Sequence, residues 1–332
     1  MRGLLLLLTL ALSQACTAQS EKINGVSFVG SRNPAEQKHV TPVADVQANH
    51  AAIMPFGFIR SLENPEIIYN TSRQWFGETT DGASQYVELL HSNDIRVMLK
   101  PQIWIWRGEF TGYLKMKTEE DWNKLESSYR KFILEYADLA QSLKVDVFCI
   151  GTELEQFIVN RPDYWNKLIR EIKKRYKGKL TYAANWDEYK RVPFWRELDY
   201  IGVDAYFPIS ESATPTIEEA RKGWKRWKKE LEGVSRSNGR EILFTEYGYR
   251  SVDFAGKEPW HTSREKKGVN LEAQANLLTA LYEEVWNESW FAGGYIWKWF
   301  IDHENVGGVE NNRFTPQNKP AGMVMQYYYS EE

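Results

Sequence analysis

Cysteine is nearly missing from this chain: Cys16 and Cys149 are the only two in 332 residues. No disulfide framework can be built from them. Cys149 lies in an apolar stretch, where a packed thiol is the plain expectation. The five histidines, at 39, 50, 91, 261 and 303, are scattered, and none falls into H-x-H or H-E-x-x-H spacing. A catalytic metal centre is therefore not expected. Neither charge sign is in excess, with 42 Lys+Arg against 45 Asp+Glu and a net charge of −3. Nothing here resembles the electrostatic footprint of a nucleic-acid or anionic-membrane binder. No G-x-G-x-x-G or G-x-x-x-x-G-K-[ST] follows a candidate strand, so no nucleotide cofactor, and no cofactor of any kind, is expected. No G-x-S-x-G elbow is present. Beyond the N-terminus, no apolar run is long enough to cross a bilayer.

The N-terminus itself reads as an export signal over residues 1–18. Arg2 precedes the apolar GLLLLLTLAL, which is too short to span a membrane, and the small residues of SQACTA follow. Two processing outcomes are open. Cleavage before Cys16 leaves a lipid-modified cysteine. Cleavage near Ala15 or Ala18 frees the protein. Either way the chain is expected to be exported, as a periplasmic, cell-surface or extracellular protein, with residues 19–332 forming one domain.

What the chain has in quantity is aromatic surface: 14 Trp, and 14% Phe, Trp and Tyr together. It also has rhythm. Apolar runs start at Ile23 (INGVSFV), Ala51 (AAIMPFGF), Ile95 (IRVMLKP), Val145 (VDVFCIG), Lys179 (KLTYAAN), Leu198 (LDYIGVDAY), Glu241 (EILFTEYG) and Gly293 (GGYIWKWF). Several are almost continuously apolar, as strands buried on both faces must be. Helical patterns lie between them. One opens with a T-x-x-D cap at Thr118 and Asp121, another with Pro162 in its first turn. The basic run KGWKRWKKE is read as a solvated helix face with Trp224 and Trp227 turned inward. Eight strands alternating with helices predict an α/β fold, a single closed (β/α)8 barrel, with an open doubly wound sheet as the alternative.

In such a barrel the active site sits at the C-terminal ends of the strands. Those ends carry Lys100, Gln102, Trp104 and Trp106; Gly151-Thr152-Glu153; Asn185, Trp186 and Asp187; Asp204 and Tyr206; Thr245-Glu246-Tyr247; and Trp297-Lys298-Trp299. They offer carboxylates, amides and flat rings. Glycoside hydrolysis uses that set: one carboxylic acid protonates the leaving oxygen, and a second carboxylate attacks the anomeric carbon or activates water. Aromatic faces stack on sugar rings, and polar groups hold hydroxyls. Glu153 and Glu246 are each carried to the rim by a buried run. Glu155 shares strand parity with Glu153, but lies one step further out, so Glu153 is the preferred acid. Along the same strand, Val147, Cys149, Gly151 and Glu153 are expected to face inward, and Phe148 and Ile150 outward.

The segments FCIGTELE, TYAANWDEY, DYIGVDAYFP, FTEYGYRS and FTPQNKPA resemble glycoside hydrolase family 113, one of the clan A retaining glycosidases, whose characterised members are chiefly endo-β-1,4-mannanases. The resemblance covers essentially the whole mature chain. It implies that Glu153 is the general acid/base and Glu246 the nucleophile, with their carboxyls about 5–5.5 Å apart. It further implies that Tyr206 hydrogen-bonds the nucleophile and that Trp297 floors the sugar at the cleavage point. Lys100, Gln102, Asn185, Trp186 and Asp204 become candidate ring or hydroxyl contacts. In one respect the chain departs from clan A habit: Thr152 stands where an asparagine usually precedes the acid/base.

The reading that follows is an exported retaining β-mannanase acting on mannan or glucomannan. Another β-linked polysaccharide, an exo mode, and a non-catalytic glycan-binding barrel stay open, as does the oligomeric state. Trp106, Trp260 and Tyr249 are read either as outer sugar contacts or as packing. Arg60 is read either as a partner that keeps Glu246 ionised or as a loop residue.

Overall fold

The computed structural model describes residues 21–261 and 268–331. The signal segment and the anchor residue Cys16 lie outside the described residues. Ten strands are present: β1 (Ile23–Val29), β2 (His50–Ile53), β3 (Phe56–Ile59), β4 (Arg96–Leu99), β5 (Gln102–Ile105), β6 (Val147–Thr152), β7 (Lys179–Asn185), β8 (Tyr200–Asp204), β9 (Glu241–Tyr247) and β10 (Phe291–Phe300). Eight of them close a parallel barrel in the circular order β1-β2-β4-β6-β7-β8-β9-β10. The open-sheet alternative is thereby excluded.

Two expected strands are broken, and each break falls at a proline. AAIMPFGF divides at Pro55 into β2 and β3, and IRVMLKP ends before Pro101, after which β5 begins. Proline fixes φ and has no N–H to give to a central ladder. Both chains leave the barrel there and pair again outside it, Phe56 opposite Gln102 and Ile59 opposite Ile105, as a two-stranded parallel sheet. This small sheet raises a wall over one side of the barrel mouth.

The helices form where the spacing predicts. Glu119–Ser142 is capped by Thr118, whose hydroxyl accepts the Asp121 N–H at 3.1 Å. Ile217–Asn238 starts at Thr216, ends on Gly239 in the left-handed conformation, and buries Trp224 and Trp227. The sequence LEAQANLLTAL forms Leu271–Leu281, capped by Asn270. Between β7 and β8 the connection contains only the 3-10 turns Tyr189–Arg191 and Trp195–Glu197.

The packing has two layers. Ile23, Ala52, Met98, Val147, Cys149, Ala183, Leu243, Ala292 and Tyr295 fill the barrel axis. Around it, the outward faces of the strands meet the helices in an aromatic-rich layer that includes Phe148, Trp165, Tyr182, Trp224 and Phe244. Cys149 is the expected packed thiol, and burial pushes its pKa up to about 11. Among the described residues no helix is long and apolar enough to cross a membrane, and no group of acidic, histidine or cysteine side chains could hold a metal ion.

Candidate active site

Two β-bulges decide which carboxylates reach the barrel mouth. Along β9, Leu243 faces the axis and Phe244 the helices. Simple alternation would then turn Thr245 inward and Glu246 outward. Instead β9 carries one extra residue against both neighbours. Val203 pairs with Phe244 and Asp204 with Glu246, while Gly294 pairs with Phe244 and Ile296 with Tyr247. A bulge of this kind re-aims side chains. Thr245 and Glu246 both look into the barrel mouth, and Tyr247 returns to the outer layer, where its hydroxyl meets those of Tyr282 and Tyr329.

The second bulge corrects the parity expected for β6. Cys149 pairs with Thr181, but Thr152 pairs with Ala183, so three steps on β6 match two on β7. Val147 and Cys149 do face the axis, and Phe148 and Ile150 the helices. Gly151 does not face inward. A side chain there would point at the outer aromatic layer, its Cβ 2.8 Å from the Tyr129 hydroxyl and 3.1 Å from Trp165 and Tyr182. Only glycine fits. The strand then turns at Glu153 itself, which sits at φ 50°, an unusual conformation for a residue with a side chain. Its N–H is held by the Ala183 carbonyl at 2.8 Å. The turn is braced from below, where the Tyr182 hydroxyl accepts the Leu154 N–H and donates to Glu188. Tyr182 and Glu188 had no recognisable signal in the sequence beyond their closeness to a strand end.

The two carboxyls live in opposite surroundings. One oxygen of Glu246 accepts from Lys100 Nζ at 2.6 Å and Gln102 Nε2 at 3.2 Å, and the other from the Tyr206 hydroxyl at 2.8 Å. Glu153 receives no side-chain or backbone hydrogen bond on its carboxyl among the described residues. Part of its surface is open to the cleft, yet protein surrounds it closely, and burial first, then the charges of Asp204 and Glu246, hold its pKa well above the ordinary carboxylate range. Asp204, at the end of β8, accepts from Thr245 Oγ1 at 2.7 Å and Lys100 Nζ at 3.1 Å through one oxygen. Burial, followed by the charge of Glu246, pushes it up to about 7. Burial opposes the Lys100 ammonium, but Asp204 and Glu246 outweigh it and raise its pKa.

The expected site residues separate into three places. Lys100 (0% exposed) and Asp204 (1%) lie beneath the carboxyls, with no room for the direct hydroxyl contacts expected of them. Gln102 and Tyr206 hold Glu246 from either side. Trp104 and Trp297 line a cavity of about 720 Å³ between the barrel mouth and the β3–β5 wall. Neither Glu153 nor Glu246 lines that cavity; Gln102 joins the two. Asn185 ends β7 with its side-chain oxygen accepting the Trp186 N–H. Trp186 stacks on Trp260, centroids 4.9 Å apart and planes 19° apart. Glu155 is remote from this set: it opens the short helix Glu155–Asn160 and pairs with Arg191. Arg60 lines the cavity, and the cation that pairs with Glu246 is Lys100. Tyr249 is core, whereas Trp106 is 69% exposed at the cavity edge. Phe56, Phe58 and Trp75 complete that edge. They escaped notice because the folding-out of β3 and β5 after the two prolines is a tertiary event.

The family model for Glycoside Hydrolase Family 113 matches residues 30–319. No curated protein sequence matches the chain. Among solved structures, the GH113 β-mannanase AaManA from Alicyclobacillus acidocaldarius, in complex with ManMIm, superimposes with a TM-score of 0.80 at 23% identity, over 93% of this chain and 97% of that one. A GH113 β-1,4-mannanase in a complex structure gives 0.81 at 21% identity, over 94% and 100%. A β-glucuronidase from Faecalibacterium prausnitzii gives 0.60 at 16% identity, over 89% of this chain and 45% of the enzyme. At these identities the superpositions speak for the fold, and the family match extends over most of the chain. The chain belongs to Glycoside Hydrolase Family 113 and is a glycoside hydrolase built on a single (β/α)8 barrel.

Proposed function

We propose that the protein hydrolyses β-1,4-mannosidic bonds in mannan or glucomannan with retention, Glu153 serving as acid/base and Glu246 as nucleophile. The observation that carries this reading is the asymmetry of the two carboxyls. Three donors, one of them a buried ammonium, hold both oxygens of Glu246 in place. Burial and two anionic neighbours favour the neutral form of Glu153. A nucleophile needs its oxygens aimed and held, and an acid needs to keep its proton until the leaving oxygen takes it. The mannan specificity rests on the family and on the β-mannanases among its structural relatives.

In the first step a Glu246 oxygen bonds to the anomeric carbon as the glycosidic C–O bond breaks, and the Glu153 proton passes to the departing oxygen. In the second, Glu153 takes a proton from water, the water oxygen bonds to the anomeric carbon, and Glu246 leaves as carboxylate. Lys100 and Asp204 touch no sugar in this scheme. They position and charge-balance Glu246. Trp297 and Trp104 offer ring faces for the sugar, and Gln102 spans the gap to the nucleophile.

Product analysis on linear β-1,4-manno-oligosaccharides, with the anomer followed by NMR, tests the proposal. The first anomer to appear should be β. An initial α product rules out retention, and no cleavage beside active xylan or glucan hydrolysis moves the assignment to another polysaccharide.

A second test separates the two neighbouring glutamates. Glu153→Gln should lower kcat on manno-oligosaccharides by about 10²–10⁴-fold, the span typical of a lost proton-transfer group, and should abolish the alkaline limb of the pH profile. Activity that needs the protonated carboxyl is present below its raised pKa and is lost as pH rises through it. Glu155→Gln breaks only the pairing with Arg191 and should stay near wild type. A larger loss in Glu155→Gln would reverse the assignment.

A further inference from the structure

The cavity beside the carboxyls joins walls suited to sugar rings to an excess of positive side chains. Trp75, Trp104, Trp106 and Trp297 supply the flat faces, and Trp104 is 50% exposed. Gln74 gives its amide N–H to the Phe56 carbonyl and takes the Thr71 N–H. Gln102 gives its amide N–H to Glu246, and one oxygen of Glu78 accepts the Trp75 N–H. Among the charged groups of the lining, three cations, Arg60, Arg73 and Lys298, stand against one carboxylate, Glu78. Arg60 and Arg73 line the cavity, are exposed, and make no ion pair or hydrogen bond among the described residues. Lys298 lines it too, its ammonium 5.2 Å and 5.0 Å from the Trp297 and Phe300 ring centres. Arg32 stands over the Trp75 ring. Elsewhere on the barrel, arginines at 96, 130, 161, 175, 191, 221 and 236 are paired with carboxylates, while Arg196 and Arg240 donate to backbone carbonyls. In a chain of net charge −3, the lining of this cavity carries a local positive excess.

We propose that this cavity takes an acidic sugar residue, a uronic acid unit of the glycan, with its ring on the tryptophan faces and its carboxylate on Arg60 and Arg73. Guanidinium groups are planar donors that match a carboxylate two bonds at a time. The cavity adjoins the nucleophile through Gln102, so the acidic unit lies within the same bound chain as the bond that breaks. The inference rests on the β-mannoside hydrolase reading and narrows its substrate to an acidic glycan.

A matched pair of substrates tests it: a β-1,4-manno-oligosaccharide bearing one uronic acid residue, and its carboxyl-reduced neutral counterpart. For wild type, kcat/KM on the acidic member should exceed that on the neutral one by about tenfold or more at low ionic strength, and the ratio should shrink as salt screens the contact. In Arg60→Gln/Arg73→Gln the ratio should fall to about one, with a melting temperature close to wild type. A wild-type enzyme that hydrolyses the neutral member equally well or better overturns the inference and leaves the mannoside hydrolase standing. A double variant that keeps the wild-type ratio also overturns it. If neither member is cleaved, the mannoside hydrolase reading falls, and the inference falls with it.

Discussion

Glu246→Gln will lower kcat/KM on manno-oligosaccharides by on the order of 10⁴-fold, about 5 kcal/mol of transition-state stabilisation. The shape of the side chain is preserved, and so is most of its environment. Lys100 and Gln102 can still donate to the amide oxygen, and the Tyr206 hydroxyl can accept from the amide nitrogen in place of donating to a carboxylate oxygen. The fold should therefore survive, and so should binding. What is lost is the electron pair that bonds to the anomeric carbon. Steady-state kinetics gives the first quantity and calorimetric titration of a manno-oligosaccharide the second. Turnover above about one hundredth of wild type would remove Glu246 from the nucleophile role, while loss of binding and of fold together would point to a structural one.

Lys100→Met should be the most damaging change that touches no sugar. Its ammonium is fully buried, 2.6 Å from Glu246 and 3.1 Å from Asp204. Removing one partner of a buried charge set leaves the others uncompensated, and such losses run to about 3–5 kcal/mol of stability. Denaturant unfolding should show this. Activity of the folded fraction should fall by about 10² or more, the scale of losing one preorganised electrostatic group, with KM little altered. A merely structural lysine would lower the melting temperature and leave kcat of the folded fraction near wild type. Adding Asp204→Asn should recover part of the stability, since it removes one of the two competing carboxyls, and should not recover the activity.

Much of this molecule is legible along the chain because its signals are local. The strands are buried on both faces and announce themselves as apolar runs. Thr118, Thr216 and Asn270 cap helices by bonding to an N–H three residues on. Glu153 and Glu246 were found as strand-end carboxylates, and Gln102, Trp104, Tyr206 and Trp297 as their neighbours, because a parallel barrel brings every strand's C-terminal end to one face. By itself, then, the order of residues determined the barrel and the roster of side chains carried at its strand ends.

The depth and aim of that roster were decided only in three dimensions. Alternation would have turned Glu246 toward the helices. One extra residue in β9, accommodated against both neighbouring strands, turns it into the cleft. Alternation also placed Gly151 inward and gave Glu155 the same face as Glu153. The bulge in β6 and the left-handed turn at Glu153 cancel both statements. Lys100 looked like a rim residue after a strand end, yet it is drawn fully inside by two carboxylates from strands more than a hundred positions away. Bulges and buried ion pairs depend on what lies across the barrel, and a period-two reading of one strand holds no information about its partners.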